Sequence, residues 1–147
     1  MSVAAAPCRY FEDMEVGGVH ETPALTVTEA HVGIYAGLTR EDAPVGAAPD
    51  LLPLCLTVGL GWRVSEPPLT VLAFMGFEWE IVAPVRVGDT IHSRSRTAMK
   101  RSLREGGVLV EERQVINQRG EVVQRGRFTY LVAKRPSGES RKGEAKS

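Results

Sequence analysis

The sequence predicts a single α+β domain in which an antiparallel sheet curves around one long central helix. Three observations predict it. The chain has 147 residues, enough for one hydrophobic core and too few for two ordinary domains. Residues 51–62 contain almost no polar position, so a helix there is expected to be buried nearly all round. From Leu69 onward the chain turns to β-branched and aromatic residues broken by turn signals, the pattern of an antiparallel meander. A sheet wrapped around an apolar helix satisfies both halves of this pattern.

Composition narrows the function classes. The apolar share is 43% and the charged share 24%, ordinary for a globular chain. Lys plus Arg and Asp plus Glu number 18 each, so there is no electrostatic reason to expect nucleic-acid or membrane binding. No apolar run reaches the roughly 18–20 residues that span a bilayer, and residues 1–7 lack the pattern of a secretory signal. With only Cys8 and Cys55, a soluble cytoplasmic protein with reduced thiols is expected. The composition places a domain over residues 8–133, a flexible start over 1–7 and a disordered tail over 134–147, rich in Ser, Gly, Glu and Lys.

The elements follow in order. Residues 19–27 read as extended. Thr28 is a good N-cap for a helix carrying Val32, Ile34, Tyr35 and Leu38 on an apolar stripe, with Gly37 able to end it. Residues 43–49, rich in Pro, Ala and Gly, form a loop. Asp50 is a credible N-cap for the central helix, with Pro53 in its first turn and Cys55 in its core; Gly59 and Gly61 would let a sheet approach closely. Residues 69–82, 90–101, 107–118 and 121–132 read as strands. The segment 86–89 is a turn and 117–120 a hairpin with Gly120 in the left-handed position.

Several segments together resemble one family. Arg9-Tyr10-Phe11-Glu12-Asp13-Met14-Glu15-Val16-Gly17, Thr26-Val27-Thr28-Glu29-Ala30 and Tyr35-Ala36-Gly37-Leu38-Thr39 resemble the opening of MaoC-like hydratases and dehydratases. Residues 51–60 resemble their central helix; Phe77-Glu78-Trp79 and Pro84-Val85-Arg86-Val87-Gly88-Asp89-Thr90 resemble a later strand and the turn after it. The likeness spans roughly residues 8–133. It implies a hotdog fold, a dimer, and a ligand carried as a thioester on coenzyme A or an acyl carrier protein. It also implies a substrate carbonyl held by backbone N–H groups near the start of the central helix, where the helix dipole stabilises an oxyanion.

The family's catalytic signature is an Asp followed five residues later by a His. Aligned on Pro44, this chain has Glu41 at the Asp position and Gly46 at the His position; shifting to Asp42 puts Ala47 there instead. Neither register supplies an imidazole. The loop to the central helix is also short, and the family's His-Gly before that helix reads Pro49-Asp50. Hydration of an enoyl thioester needs one group to take a proton and one to give it, so the usual hydratase mechanism does not carry over.

The candidate catalytic residues are therefore Glu41, Asp42 and Asp50. Each also has a plainer reading: a solvated turn for the first two, a helix cap for the third. Tyr35 is read as core with its hydroxyl near the pocket, and Gly46 and Leu51 flank the expected carbonyl position. Arg94 and Arg96, alternating on one strand, are either a solvated face or partners for coenzyme A phosphates. His20, His31 and His92 show no metal-ligand spacing, and neither a metal nor another cofactor is expected. Three functions remain open. One is an acyl-thioester enzyme with altered chemistry, such as a thioesterase or a repurposed enzyme of specialised metabolism. Another is a hydratase or dehydratase with a rebuilt acid/base. The third is a non-catalytic subunit paired with another hotdog chain.

Overall fold

The computed structural model describes residues 7–138; residues 1–6 of the expected flexible start and 139–147 of the expected tail lie outside that range. Six strands form one antiparallel sheet: β1 (Val19–Glu21), β2 (Leu25–Thr26), β3 (Val71–Ile81), β4 (Thr90–Ser102), β5 (Gly107–Ile116) and β6 (Val122–Val132). Their order is β1-β4-β5-β6-β3, with β2 also paired to β4. Two helices complete the fold: α1 (Glu29–Thr39) and α2 (Leu52–Leu60), the latter prolonged by a 3-10 turn over Gly61–Arg63. This is the predicted α+β class. No helix among the described residues is long and apolar enough to cross a membrane.

The strands form where side chains alternate. On β4, Ile91, Ser93, Ser95 and Thr97 are buried while Arg94 and Arg96 are exposed, a period of two. The β5–β6 hairpin closes as expected: Asn117 Oδ1 accepts the Arg119 and Glu121 N–H groups at 3.0 and 3.1 Å, and Gly120 has φ +77°. Register shifts at Val71/Ala73 and Phe74/Gly76 on β3, and at Thr97/Met99 on β4, bend the sheet around α2. At Gly126 the Trp79 ring lies so close that an added Cβ would meet it at 2.5 Å, so this position has no room for a side chain.

Helix α1 begins as predicted. Thr28 Oγ1 accepts the His31 N–H, and His31 Nδ1 accepts the Thr28 N–H at 3.1 Å, so an imidazole fills the carboxylate's role in a capping box. Its end departs from prediction. The helix runs through Gly37 to Thr39, and Arg40 closes it in the left-handed region (φ 58°) with its N–H on Ala36 O at 2.7 Å. A glycine inside a helix costs only about 0.5–1 kcal/mol relative to alanine, so Gly37 alone does not end the helix.

Four expectations for α2 are corrected. Leu51, not Asp50, is the N-cap, and no side chain caps it. The helix start is instead fixed from the sheet, by Gln124 Nε2 donating to Asp50 O at 2.7 Å. The helix is not buried all round: Leu52, Leu54, Thr57 and Leu60 are buried, but Leu51, Cys55, Val58 and Trp62 form an exposed face at helical spacing. Cys55 is therefore a surface residue, and Gly59 and Gly61 border open space rather than sheet. The folded chain also runs past the expected tail boundary. Lys134 Nζ donates to Leu103 O, and the Arg135 guanidinium holds Asp13 at 2.5 and 2.6 Å.

The core has two parts. Val27, Leu52, Val85, Ile91, Val115 and Val123 pack around the start of α2. Phe11, Met14, Leu109 and Val132 form a second cluster. Between Ile91/Val115 and Leu109, the inward positions of β4 and β5 are Ser93, Ser95, Thr97, Arg113 and Glu111. A polar belt thus divides two apolar halves.

Candidate active site

The last turn of α1 and the loop after it bring Tyr35 and Glu41 together. Thr39 Oγ1 donates to Tyr35 O at 2.9 Å and accepts the Glu41 N–H at 3.2 Å, which folds the loop back on the helix. The Tyr35 phenol and the Glu41 carboxylate come close. Burial raises the Tyr35 phenol above its ordinary range, the neighbouring Glu41 carboxylate raises it further, and Cys55 and Asp50 lie close enough to add to the effect. The phenol therefore stays protonated. Tyr35, Glu41, Asp50 and Cys55 form one cluster beside the start of α2, although they come from α1, two loops and α2 itself.

The surrounding backbone is stitched to the turn before β4. Gly46 O accepts the Val87 N–H at 2.9 Å, Ala48 N–H donates to Val85 O at 2.8 Å, and Ala47 bridges Arg86. Gly46 has φ +78°, a backbone conformation that suits glycine. Below the cluster, buried Gln124 ties three elements together: its amide nitrogen holds Asp50 O, and its oxygen accepts the Trp79 Nε1–H at 3.0 Å. In the first turn of α2, Leu52 N–H donates to Pro49 O at 3.0 Å and Cys55 N–H to Leu51 O at 3.1 Å, and Pro53 has no N–H, so what this helix start offers an anion is the positive end of its dipole.

Of the other sequence-predicted residues, Asp42 follows Glu41 on the loop and is exposed, as Glu41 and Asp50 are, and Leu51 is 44% exposed beside Asp50. Arg94 and Arg96 are not brought to the cluster. They lie on the outer sheet face, where Arg94 pairs with Glu21 at 2.5 Å and Arg96 with Glu112 at 2.6 Å. There they belong to a cross-strand charge ladder that continues through Arg127–Glu112 and Arg125–Glu80. Two of the three histidines are engaged as well: His31 caps α1, and His20 Nδ1 lies 3.1 Å from Glu66.

Sequence reasoning missed a second feature. A cavity of about 810 Å³ opens between the sheet and the segment from Gly61 to Leu69, and Ser95, Thr97, Glu111, Arg113 and Tyr130 face it. Burial pushes the Tyr130 phenol up to about 12. The signal was present in β5: residues 109, 111, 113 and 115 share one face, and Glu111 and Arg113 interrupt what should be an apolar row.

Sheet order, central helix and strand lengths define a hotdog fold. No protein-family model and no curated protein matches the chain. Solved structures do. The monoamine oxidase regulatory protein from Archaeoglobus fulgius is 27% identical, with a TM-score of 0.81 over 89% of this chain and 99% of that one. The MaoC-like dehydratase from Rhodospirillum rubrum is 23% identical, with a TM-score of 0.73 over 87% and 99%. The HadBC (3R-hydroxyacyl-ACP dehydratase) complex from Mycobacterium tuberculosis is 16% identical, with a TM-score of 0.64 over 79% and 96%.

Proposed function

We propose that this chain processes an acyl thioester, carried on coenzyme A or an acyl carrier protein, with Glu41 as its base. The observation that carries the reading is the Tyr35–Glu41 pair beside the start of α2. The neighbours' thioester-type substrates, named for the dehydratase complex, add support. Hydrolysis is the reaction that one carboxylate can run. Glu41 takes a proton from water as the water oxygen attacks the thioester carbonyl carbon. The tetrahedral oxyanion is stabilised by the positive end of the α2 dipole. Collapse breaks the C–S bond, and the leaving thiolate takes the proton back from Glu41. Tyr35, kept protonated beside Glu41, acts as a positioning residue for that carboxylate. Asp42 and Asp50 are the alternative bases.

The test is Glu41→Gln, which keeps shape and removes proton-accepting capacity. Turnover on an acyl-CoA panel should fall by about 10²-fold or more while binding measured by calorimetry is kept. Unchanged turnover would sink Glu41 as the base.

A second reading is favoured by a separate observation. The exposed face Leu51, Cys55, Val58 and Trp62 lies next to the cluster, so another hotdog chain seated there would complete or supply the chemistry. In that case the chain alone is inactive, and a dyad-bearing partner restores hydration of an enoyl thioester.

A further inference from the structure

The concave face of a sheet that received a plain alkyl chain would continue the apolar rows of Ile91, Val115 and Leu109. Here the rows are interrupted by five polar residues, Ser93, Ser95, Thr97, Glu111 and Arg113, and all of them line the same cavity. Two of them carry charge in a place where charge is costly. The side chains of Arg113 and Glu111 are only 12% and 16% exposed. They stand two residues apart on one strand, where the fit between them is poor: Arg113 Nη2 reaches the two Glu111 oxygens at 3.2 and 3.4 Å. The guanidinium also lies over the Phe128 ring, 4.6 Å from its centroid. Its Nε–H remains. Among the described residues, Arg113 Nε is a buried donor with no hydrogen-bond partner. Tyr130, on the same cavity wall, keeps its hydroxyl proton because burial holds the phenol up at about 12.

We propose that this cavity selects an acyl chain bearing a neutral oxygen, a keto or hydroxyl group, which accepts a hydrogen bond from Arg113 Nε and meets the hydroxyls of Tyr130, Ser95 and Thr97. This assignment rests on the acyl-thioester reading above and narrows its substrate class. An alkyl chain would leave the Nε donor unsatisfied and desolvate the serine and threonine hydroxyls. A carboxylate would add a third charge to a pair that is already neutral, placing a buried negative charge beside Glu111. A neutral acceptor satisfies the donor without disturbing the pair.

The experiment compares hexanoyl-CoA with its keto-substituted counterparts by calorimetry on the full chain, and repeats the comparison with hexanamide and its keto-substituted counterparts. The Nε–H nuclear magnetic resonance signal of Arg113 is followed in parallel. At least one keto thioester should bind roughly tenfold tighter than hexanoyl-CoA, the scale of one hydrogen bond to a charged donor, and should shift the Arg113 signal. Arg113→Met should erase the preference. Because that variant strands Glu111, the paired variant Glu111→Gln/Arg113→Met removes both charges and must show the same loss. Equal or tighter binding of hexanoyl-CoA overturns the proposal while leaving the thioester reading intact, as does a preference that survives in the paired variant. If no thioester binds, the thioester reading fails, and the amides decide. A keto amide that shifts the Arg113 signal keeps the cavity assignment, and silence with both amides overturns it.

Discussion

At Gly46 a single backbone angle decides whether the missing imidazole can be put back. The position aligns with the family's His, and an added Cβ there meets nothing within 4 Å. Space is therefore not the obstacle. The obstacle is φ +78°, since a histidine there costs about 1–2 kcal/mol in backbone strain. The loop is also pinned by the Gly46 O–Val87 N bond of 2.9 Å, so it cannot relax without loosening the turn before β4. Gly46→His is expected to lower the melting temperature by a few degrees and to give no strong crotonyl-CoA hydration. Strong hydration in a steady-state assay would show that the loop already holds the geometry of the family's dyad.

The elements show what the sequence could and could not reveal. Periodicity placed β4, β5 and β6 because each is a half-buried strand with one wet face. Thr28 placed the start of α1 because capping is a local event. The start of α2 was misread because its fixing bond, from Gln124 to Asp50 O, comes from 74 residues away. Of the candidate site, family position singled out Glu41, an apolar stripe marked Tyr35 and a capping pattern marked Asp50; Glu41 and Asp50 lie near the Tyr35 phenol in the fold. The outward course of Arg94 and Arg96 was not, because their partners Glu21 and Glu112 lie on other strands. The turn before β4 carries a prediction of its own. Asp89 accepts the Arg86 N–H and the Gln118 amide, each at 2.9 Å. Burial alone would raise its carboxyl, but those two bonds and the charges of Arg119 and Arg86 outweigh it and hold the group below its ordinary value. Arg96 likewise lowers Glu112, against a smaller desolvation effect. A depressed folded value means the stabilisation is fully present above about pH 4, the unfolded range. It is lost as pH falls through the folded values. Thermal melts should therefore drop below about pH 4. Asp89→Ala should cost about 1–3 kcal/mol at neutral pH and flatten part of that acid slope. An unchanged slope in the variant would remove Asp89 from the acid transition.

For the whole molecule, the unfinished part is the edge. Strand β3 is bonded on one side to β6, and its Val71, Leu72, Phe74, Met75 and Phe77 are each 43–58% exposed. A long apolar edge strand invites another strand. A second copy, or another hotdog chain, seated on β3 would extend the sheet and cover this face. Light scattering at micromolar concentration should report a dimer, and Met75→Lys should weaken it at least tenfold without unfolding the protomer. A strictly monomeric wild type would refute this assembly.

At the start of β3 the two described ends meet. Arg9 N–H donates to Pro68 O and Thr70 N–H to Arg9 O, while Ala133 N–H donates to Thr70 O and Phe11 N–H to Ala133 O, all at 2.8–2.9 Å. Arg135 adds its grip on Asp13, and its N–H reaches Glu12 at 2.9 Å. In mechanical terms the fold is a loop closed by a knot of short bonds. Tension applied between residues 9 and 135 loads this knot first, so the sheet behind it carries no force until the knot gives way.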